Sequence, residues 1–325
     1  MHRFTAALVA LFACGIGTIT SALAQAPYPS RPVTTMVGFA PGGGTDITAR
    51  IVAKKLPTFL GQNVVVENRA GAGGNIATDA VAKAAPDGYM LVLSTVGSLT
   101  VAPHMEPNLP YNPQRDLAPI SMGVVFANVL VVHPSVPANT VGEYIKLANS
   151  RPGGMPYATS GIGGAGHLAG ELMKLMGKAN LVHVPYKGGG PAMSDLLGGQ
   201  VPSMFASAPT VVPQAKAGKV RVIAVTSLQR SSFFPDAPTV AEAGYAGYDA
   251  TNWYAYLAPA KTPREIIARL NRDIVATLNA PDVKEQMLAA GVEPRPSTPE
   301  ELARVIDREL LTWGRVVKEA NIKPE

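Results

Sequence analysis

Apolar positions along the chain fall into short runs with the spacing of strands, separated by stretches with helical spacing. Residues 33–39 (VTTMVGF), 63–66 (NVVV) and 89–95 (YMLVLST) read as strands. Between them, residues 45–59 and 75–84 carry apolar side chains at helical intervals. The pattern restarts after residue 120 with a long apolar stretch, 120–133, and then a helix opened by the capping box Thr140-x-x-Glu143. Strands at 155–159 and 181–186 flank a helix at 165–177, and residues 220–226 form a further strand. The C-terminus is helical: Thr262-Pro263-x-Glu265 and Thr298-Pro299-x-Glu301 read as capping boxes with proline in the first turn. Ile266, Leu270, Ile274 and Leu278 recur every four residues as a stripe that must pack on something. Strands alternating with helices predict an α/β fold with mostly parallel sheets flanked by helices.

Three glycine-rich loops each sit between a predicted strand and a predicted helix. They are residues 39–46 (FAPGGGTD), 71–75 (GAGGN) and 160–167 (SGIGGAGH). Such loops present free backbone N–H groups at a helix start, where the macrodipole favours negative charge. Glycine also lets a ligand approach the backbone closely. In open α/β sheets, ligands bind at the carboxyl ends of strands, where these loops lie. A single loop of this kind is as often plain turn chemistry, but one in each half facing a shared cleft predicts an anion-binding site. Asp46 does not suit an anion directly; an acid in a first helical turn organises the loop N–H groups instead.

Several other chemistries are weighed and set aside. Gly161-x-Gly163-x-x-Gly166 matches the dinucleotide fingerprint, but the next strand ends Val184-Pro185-Tyr186-Lys187 without the acid that would hold a ribose. There is no G-x-S-x-G elbow, no H-E-x-x-H and no P-loop. His167 and Glu171, four apart, are two ligands without a third and do not make a metal site. The sequence therefore predicts neither an enzyme nor a cofactor. Net charge is +5, with Lys and Arg interspersed among acids, as in Arg264, Glu265, Arg269, Arg272 and Asp273. That pattern is a solvated helix face, and nucleic acid is not an expected partner.

The first residues predict export. Met1-His2-Arg3 is followed by an uncharged apolar run over residues 4–19 and then Ser21-Ala22-Leu23-Ala24, which fits signal-peptide cleavage after Ala24. The run is shorter than a membrane span. Leu11-Phe12-Ala13-Cys14 has the outline of a lipoprotein site, although Phe12 is bulky for it. Cys14 is the only cysteine, so cleavage after Ala24 leaves a product without thiols, resting on its core alone.

Several segments together resemble the tripartite tricarboxylate transporter substrate-binding proteins, the Bug or TctC-like periplasmic receptors. They include residues 28–32 (YPSRP), 39–46, 66–69 (VENR) with 71–74, and 85–89 (APDGY). Residues 109–113 (LPYNP), 160–171, 184–189 (VPYKGG) and 235–239 (PDAPT), then Trp253 with Ala258-Pro259, continue the match. The resemblance implies a two-domain, Venus-flytrap-like binder that captures a small carboxylate and delivers it to a membrane permease. Domain one would comprise residues 25–124 and 251–325, and domain two residues 125–250. Carried onto this chain, the first loop supplies Phe39, Ala40, Gly42, Gly43, Thr45 and Asp46, and the second Ser160, Gly161, Gly163, Gly164 and His167. Asn75, Ser94, Thr95 and Tyr186 are further expected wall residues. At Phe205-Ala206-Ser207 many relatives carry an acid after the phenylalanine, so Ser207 joins the expected lining and the identity of the ligand stays open. The expected product is a periplasmic monomer. A sensory receptor docking on a kinase ectodomain is the competing role, and a secreted enzyme a weaker third.

Overall fold

A computed structural model describes residues 28–319. The export segment, its cleavage point after Ala24 and Cys14 lie outside these described residues. The first lobe opens with β1 (Val33–Val37), α1 (Gly44–Lys55), a single turn α2 (Pro57–Leu60) and β2 (Val64–Asn68). α3 (Asn75–Ala82) and β3 (Met90–Thr95) follow, then a π-helical turn, Gly97–Val101, which runs into α4 (Ala102–Met105) and α5 (Pro113–Asp116). The predicted helix over 45–59 is broken at Leu56, because Pro57 has no N–H to continue the ladder and its ring crowds the preceding turn.

The apolar stretch after residue 117 is one strand of 16 residues, β4 (Leu117–Val132). It leads into α6 (Val141–Ser150), β5 (Met155–Thr159), α7 (Ala165–Gly177), β6 (Leu181–Pro185) and α8 (Gly189–Leu197). β7 (Ser203–Ser207), α9 (Ala208–Lys216) and β8 (Arg221–Val225) complete the second lobe, and β9 (Thr251–Pro259) returns to the first. α10 (Arg264–Asn279), α11 (Pro281–Ala289), β10 (Glu293–Pro294) and α12 (Pro299–Glu319) end the described chain.

Parallel pairing holds in the two wings, where β1 pairs β2 and β3, and β5 pairs β6 and β7. The centre is antiparallel. β9 pairs β3 and β4, and β4 changes partners midway, from β9 over Leu117–Ala127 to β7 and β8 over Asn128–Val132. The strand order β2-β1-β3-β9-β4-β7-β5-β6 therefore runs through both lobes. Both crossing strands are buried on both faces, which is why their sequences read as nearly continuous apolar runs.

The stripe on α10 packs as expected: Leu270, Ile274 and Leu278 are fully buried in a cluster with Val33, Leu60 and Ile120. The capping box at Thr298 forms, with Thr298 N donating to Glu301 Oε2 at 2.9 Å and Glu301 N to Thr298 Oγ1 at 3.1 Å. The one expected at Thr262 does not. α10 begins after Pro263, whose apolar ring cannot accept from its first N–H groups, and Thr262 Oγ1 is buried without a partner among the described residues.

Candidate functional site

Four helices of the two lobes begin around one cavity. α1 starts after Gly43, α7 after Gly164, α8 after Gly188 and α9 after Ser207. Their first turns supply Gly43, Gly44 and Thr45, then Gly164, Ala165 and Gly166, then Gly189 and Ser207, to the cavity wall. First-turn N–H groups have no acceptor within their own helix. Each helix start carries roughly half a positive charge. No lining residue has a charged side chain. The cavity thus offers an anion backbone donors and dipoles in place of a counter-ion.

Close approach explains one glycine directly. A Cβ on Gly44 would lie 2.7 Å from both Ser207 Oγ and the Tyr254 hydroxyl, so any side chain there would fill the cavity. The lobes also touch each other through backbone: Ala40 N, in the first loop, donates to Lys187 O, ahead of α8, at 2.9 Å.

Of the residues expected from the sequence, Phe39, Gly43, Thr45, Thr95, Ser160, Gly164 and Ser207 meet in this cavity. The others surround it. Gly42 N donates to Asp46 Oδ2 at 3.0 Å, and the Asp46 carboxylate also takes Arg50 Nε at 3.0 Å and Asn68 Nδ2 at 2.9 Å. Burial raises the Asp46 carboxyl, but the hydrogen bonds from Arg50, Gly42 and Asn68 outweigh it and hold it below the ordinary range. Asp46 therefore shapes the first loop. Asp46→Asn will lower stability by about 2 kcal/mol, the scale for hydrogen bonds to a charged group. Urea unfolding measures this, and an unchanged midpoint would mean the loop keeps its shape without the carboxylate.

Asn75 is held by Glu106 at 2.7 Å and Tyr111 at 2.9 Å, and Ser94 Oγ by Thr78 Oγ1 at 3.1 Å. Gly161 and Tyr186 border a neighbouring chamber that shares Phe39 and Ser160 with the main cavity, and the Tyr186 hydroxyl donates to Asp195 Oδ2 at 2.7 Å. Gly163 lines a smaller pocket beside Asn75 and Gly97.

His167 lies beneath the second loop, buried, with its Nδ1 accepting from Gly163 N at 3.1 Å. Its ring stacks on His183 at 4.1 Å. His183 Nε2 meets Thr159 Oγ1 at 2.7 Å, and Thr159 Oγ1 in turn contacts Gly161 N and O at 3.2 Å. Two stacked imidazoles thus support the loop from below. Burial pushes His167 down to about 4 and His183 down to about 3, so both are neutral at pH 7. No group of three His, Cys, Asp or Glu among the described residues is placed to hold a metal ion.

The sequence reading missed Gly44, Asn128, Ala165, Gly166, Gly189, Met204, Phe205, Ala206, Asn252 and Tyr254, all of which line the cavity. Asn128 and Asn252 left a usable signal, each being an amide at or within an otherwise apolar crossing strand.

The model of the tripartite tricarboxylate transporter family receptor matches residues 48–322. Protein BugT of Bordetella pertussis is 40% identical over 98% of this chain and 97% of its own length. Rpa4515 of R. palustris, solved with adipate, superposes with a TM-score of 0.88 at 36% identity, over 92% of this chain and 100% of that one. MatC of Rhodopseudomonas palustris, solved with bound malate, gives 0.86 at 33% identity, over 89% and 100%.

Proposed function

Because the chain belongs to the tripartite tricarboxylate transporter receptor family, a family of solute-binding receptors rather than enzymes, we propose that it captures a small carboxylate in this cavity and delivers it to a permease of the same transporter type. The observation that carries the reading is the convergence of four helix starts on a cavity without a charged side chain. The carboxylate would lie against the first-turn N–H groups of α1 and α7, one from each lobe, so binding would favour the closed arrangement. The bound acids of Rpa4515 and MatC support the ligand class.

Domain one then comprises residues 25–124 and 251–325, and domain two residues 125–250. The hinge lies where β4 changes partners, between Ala127 and Asn128, and where β9 begins at Thr251. Hydrogen bonds from Thr226 N to Asn128 O at 2.9 Å and from Ala250 N to Thr226 O at 2.8 Å tie these crossings together. The mature receptor would start after Ala24 and act in the periplasm. No helix among the described residues is long and apolar enough to cross a membrane.

A thermal-shift screen against mono-, di-, tri- and aromatic carboxylates tests the proposal. A ligand at 100 times its Kd stabilises the native state by about 2.7 kcal/mol, a readily visible shift. A hit confined to one class of acid is the expected result. If no carboxylate moves the melt while uncharged solutes do, the reading fails.

A further inference from the structure

Thr95 ends β3, where the strand pairs with Tyr254 of β9. The residue is 5% exposed and lines the cavity. Its Oγ1 is enclosed and has no hydrogen-bond partner among the described residues. Several neighbouring polar groups in the same wall are already engaged, while the Thr45 and Ser160 hydroxyls stand beside the helix-start donors. Ser207 Oγ meets Thr210 Oγ1 at 2.9 Å, and the Tyr254 hydroxyl shares a hydrogen bond with Ser207. Asn252 Nδ2 donates to Asn128 Oδ1 at 3.4 Å, and Asn128 Nδ2 to Ala250 O at 3.3 Å.

An enclosed hydroxyl without a partner carries the desolvation penalty of an unmade hydrogen bond. Threonine is β-branched and stiff at χ1, so it does not readily turn away to relieve that penalty. The backbone donors suited to a carboxylate come from helix starts, whereas Thr95 comes from the end of a strand. A different part of the ligand is therefore available to it. A hydroxyl pairs well with a hydroxyl or a carbonyl, since it can donate to either.

We infer that Thr95 reads an oxygen on the carbon chain of the ligand, so that the preferred ligand is a hydroxy or oxo acid and not its unsubstituted counterpart. This rests on the carboxylate reading above. A site built to hydrogen-bond a ligand hydroxyl rejects the analogue without one, because the site's own group is then left unpaired.

Titration calorimetry with three matched pairs tests it: malate and succinate, citrate and tricarballylate, mandelate and phenylacetate. In the pair that fits the cavity, the hydroxy acid binds about tenfold more tightly, the scale of one good hydrogen bond. Thr95→Val, which keeps the shape and removes the hydroxyl, brings that ratio to about one by weakening the hydroxy acid alone. Thr95→Ser keeps the preference. Thr95→Ala serves the same comparison if the valine variant does not fold. Equal wild-type affinity within every pair that binds overturns the inference. So does a Thr95→Val protein that weakens both members equally, which would place the hydroxyl on the carboxylate itself. Both results leave the carboxylate reading standing. Failure of every acid to bind removes that reading and this inference with it.

Discussion

Replacing Gly97 with alanine will cost about a hundredfold in affinity for the carboxylate, while the ligand-free melting temperature stays within about 2 °C of wild type. Gly97 opens the π-helical turn after β3, in the first lobe. A Cβ placed there lies 2.9 Å from Gly163 O and 3.1 Å from Gly164 Cα, both in the glycine loop 160–167 of the second lobe. These are backbone atoms, so no change of rotamer makes room. The Gly97 backbone is outside the left-handed region, so alanine adopts it without strain when the lobes are apart. Overpacking costs about 1–3 kcal/mol, and about 1.4 kcal/mol is tenfold in affinity, which sets the expected loss. Gly43→Val is a milder version, its nearest contact across the cleft being Gly189 N at 3.3 Å. Gly142→Ala, on the surface of α6 with nothing within 4 Å, is the control and binds normally. Calorimetry measures all three. Unchanged affinity in the Gly97 variant would mean that the ligand is held without the loops meeting.

Acidification from pH 6.5 to 4 will remove about 5 kcal/mol of folding stability through the two stacked histidines. Burial is the main cause that lowers both rings, with Lys174 adding to it and, at His183, His167 as well; Glu171 opposes it at His167. In the unfolded chain each imidazole takes its proton near 6.5, whereas folded His167 resists until about 4. The unfolded state therefore binds more protons across this window, and stability falls as the pH falls. Below about 4 the folded protein also protonates. His167 Nδ1 can then no longer accept from Gly163 N, so the loop 160–167 loses its support. The two rings titrate as a pair. Glu106 and Glu309 act in the opposite sense, since burial raises their carboxyls. Asp46, held below 3.8, contributes only at lower pH. The comparison that isolates the histidines is urea unfolding at pH 7, 6, 5 and 4 for wild type and a His167→Gln/His183→Phe protein. The wild type should lose about 6 kcal/mol more than the variant over that range. Equal losses would show that the pair is not buried as neutral imidazole.

The sequence carried the elements whose cause is local. The α10 stripe, the Thr298 capping box and the three glycine loops were legible because side-chain spacing, caps and turn residues act within a few positions. The same local logic placed Asp46 correctly as an organiser of its loop. Seven of the expected wall residues also meet in the cavity, since a loop at a strand end is delivered to the cleft by the fold class alone.

What the sequence could not decide depends on packing between distant segments. Nothing local distinguishes a 16-residue strand that serves two sheets from an ordinary buried one, so the antiparallel centre and the exchange of partners at Asn128 came from the tertiary structure. His167 looked like a cleft residue because it follows the second loop, but its ring is claimed by His183, 16 positions later, through stacking that only the β5–β6 pairing permits. Gly44, Asn128, Asn252 and Tyr254 entered the site from strands and helix starts that meet only when both lobes assemble. The sequence by itself pointed to a kind of chemistry, backbone donors suited to an anion. The tertiary structure decided which donors converge and which hydroxyl is left waiting, because convergence is a property of contacts between segments and not of any one of them.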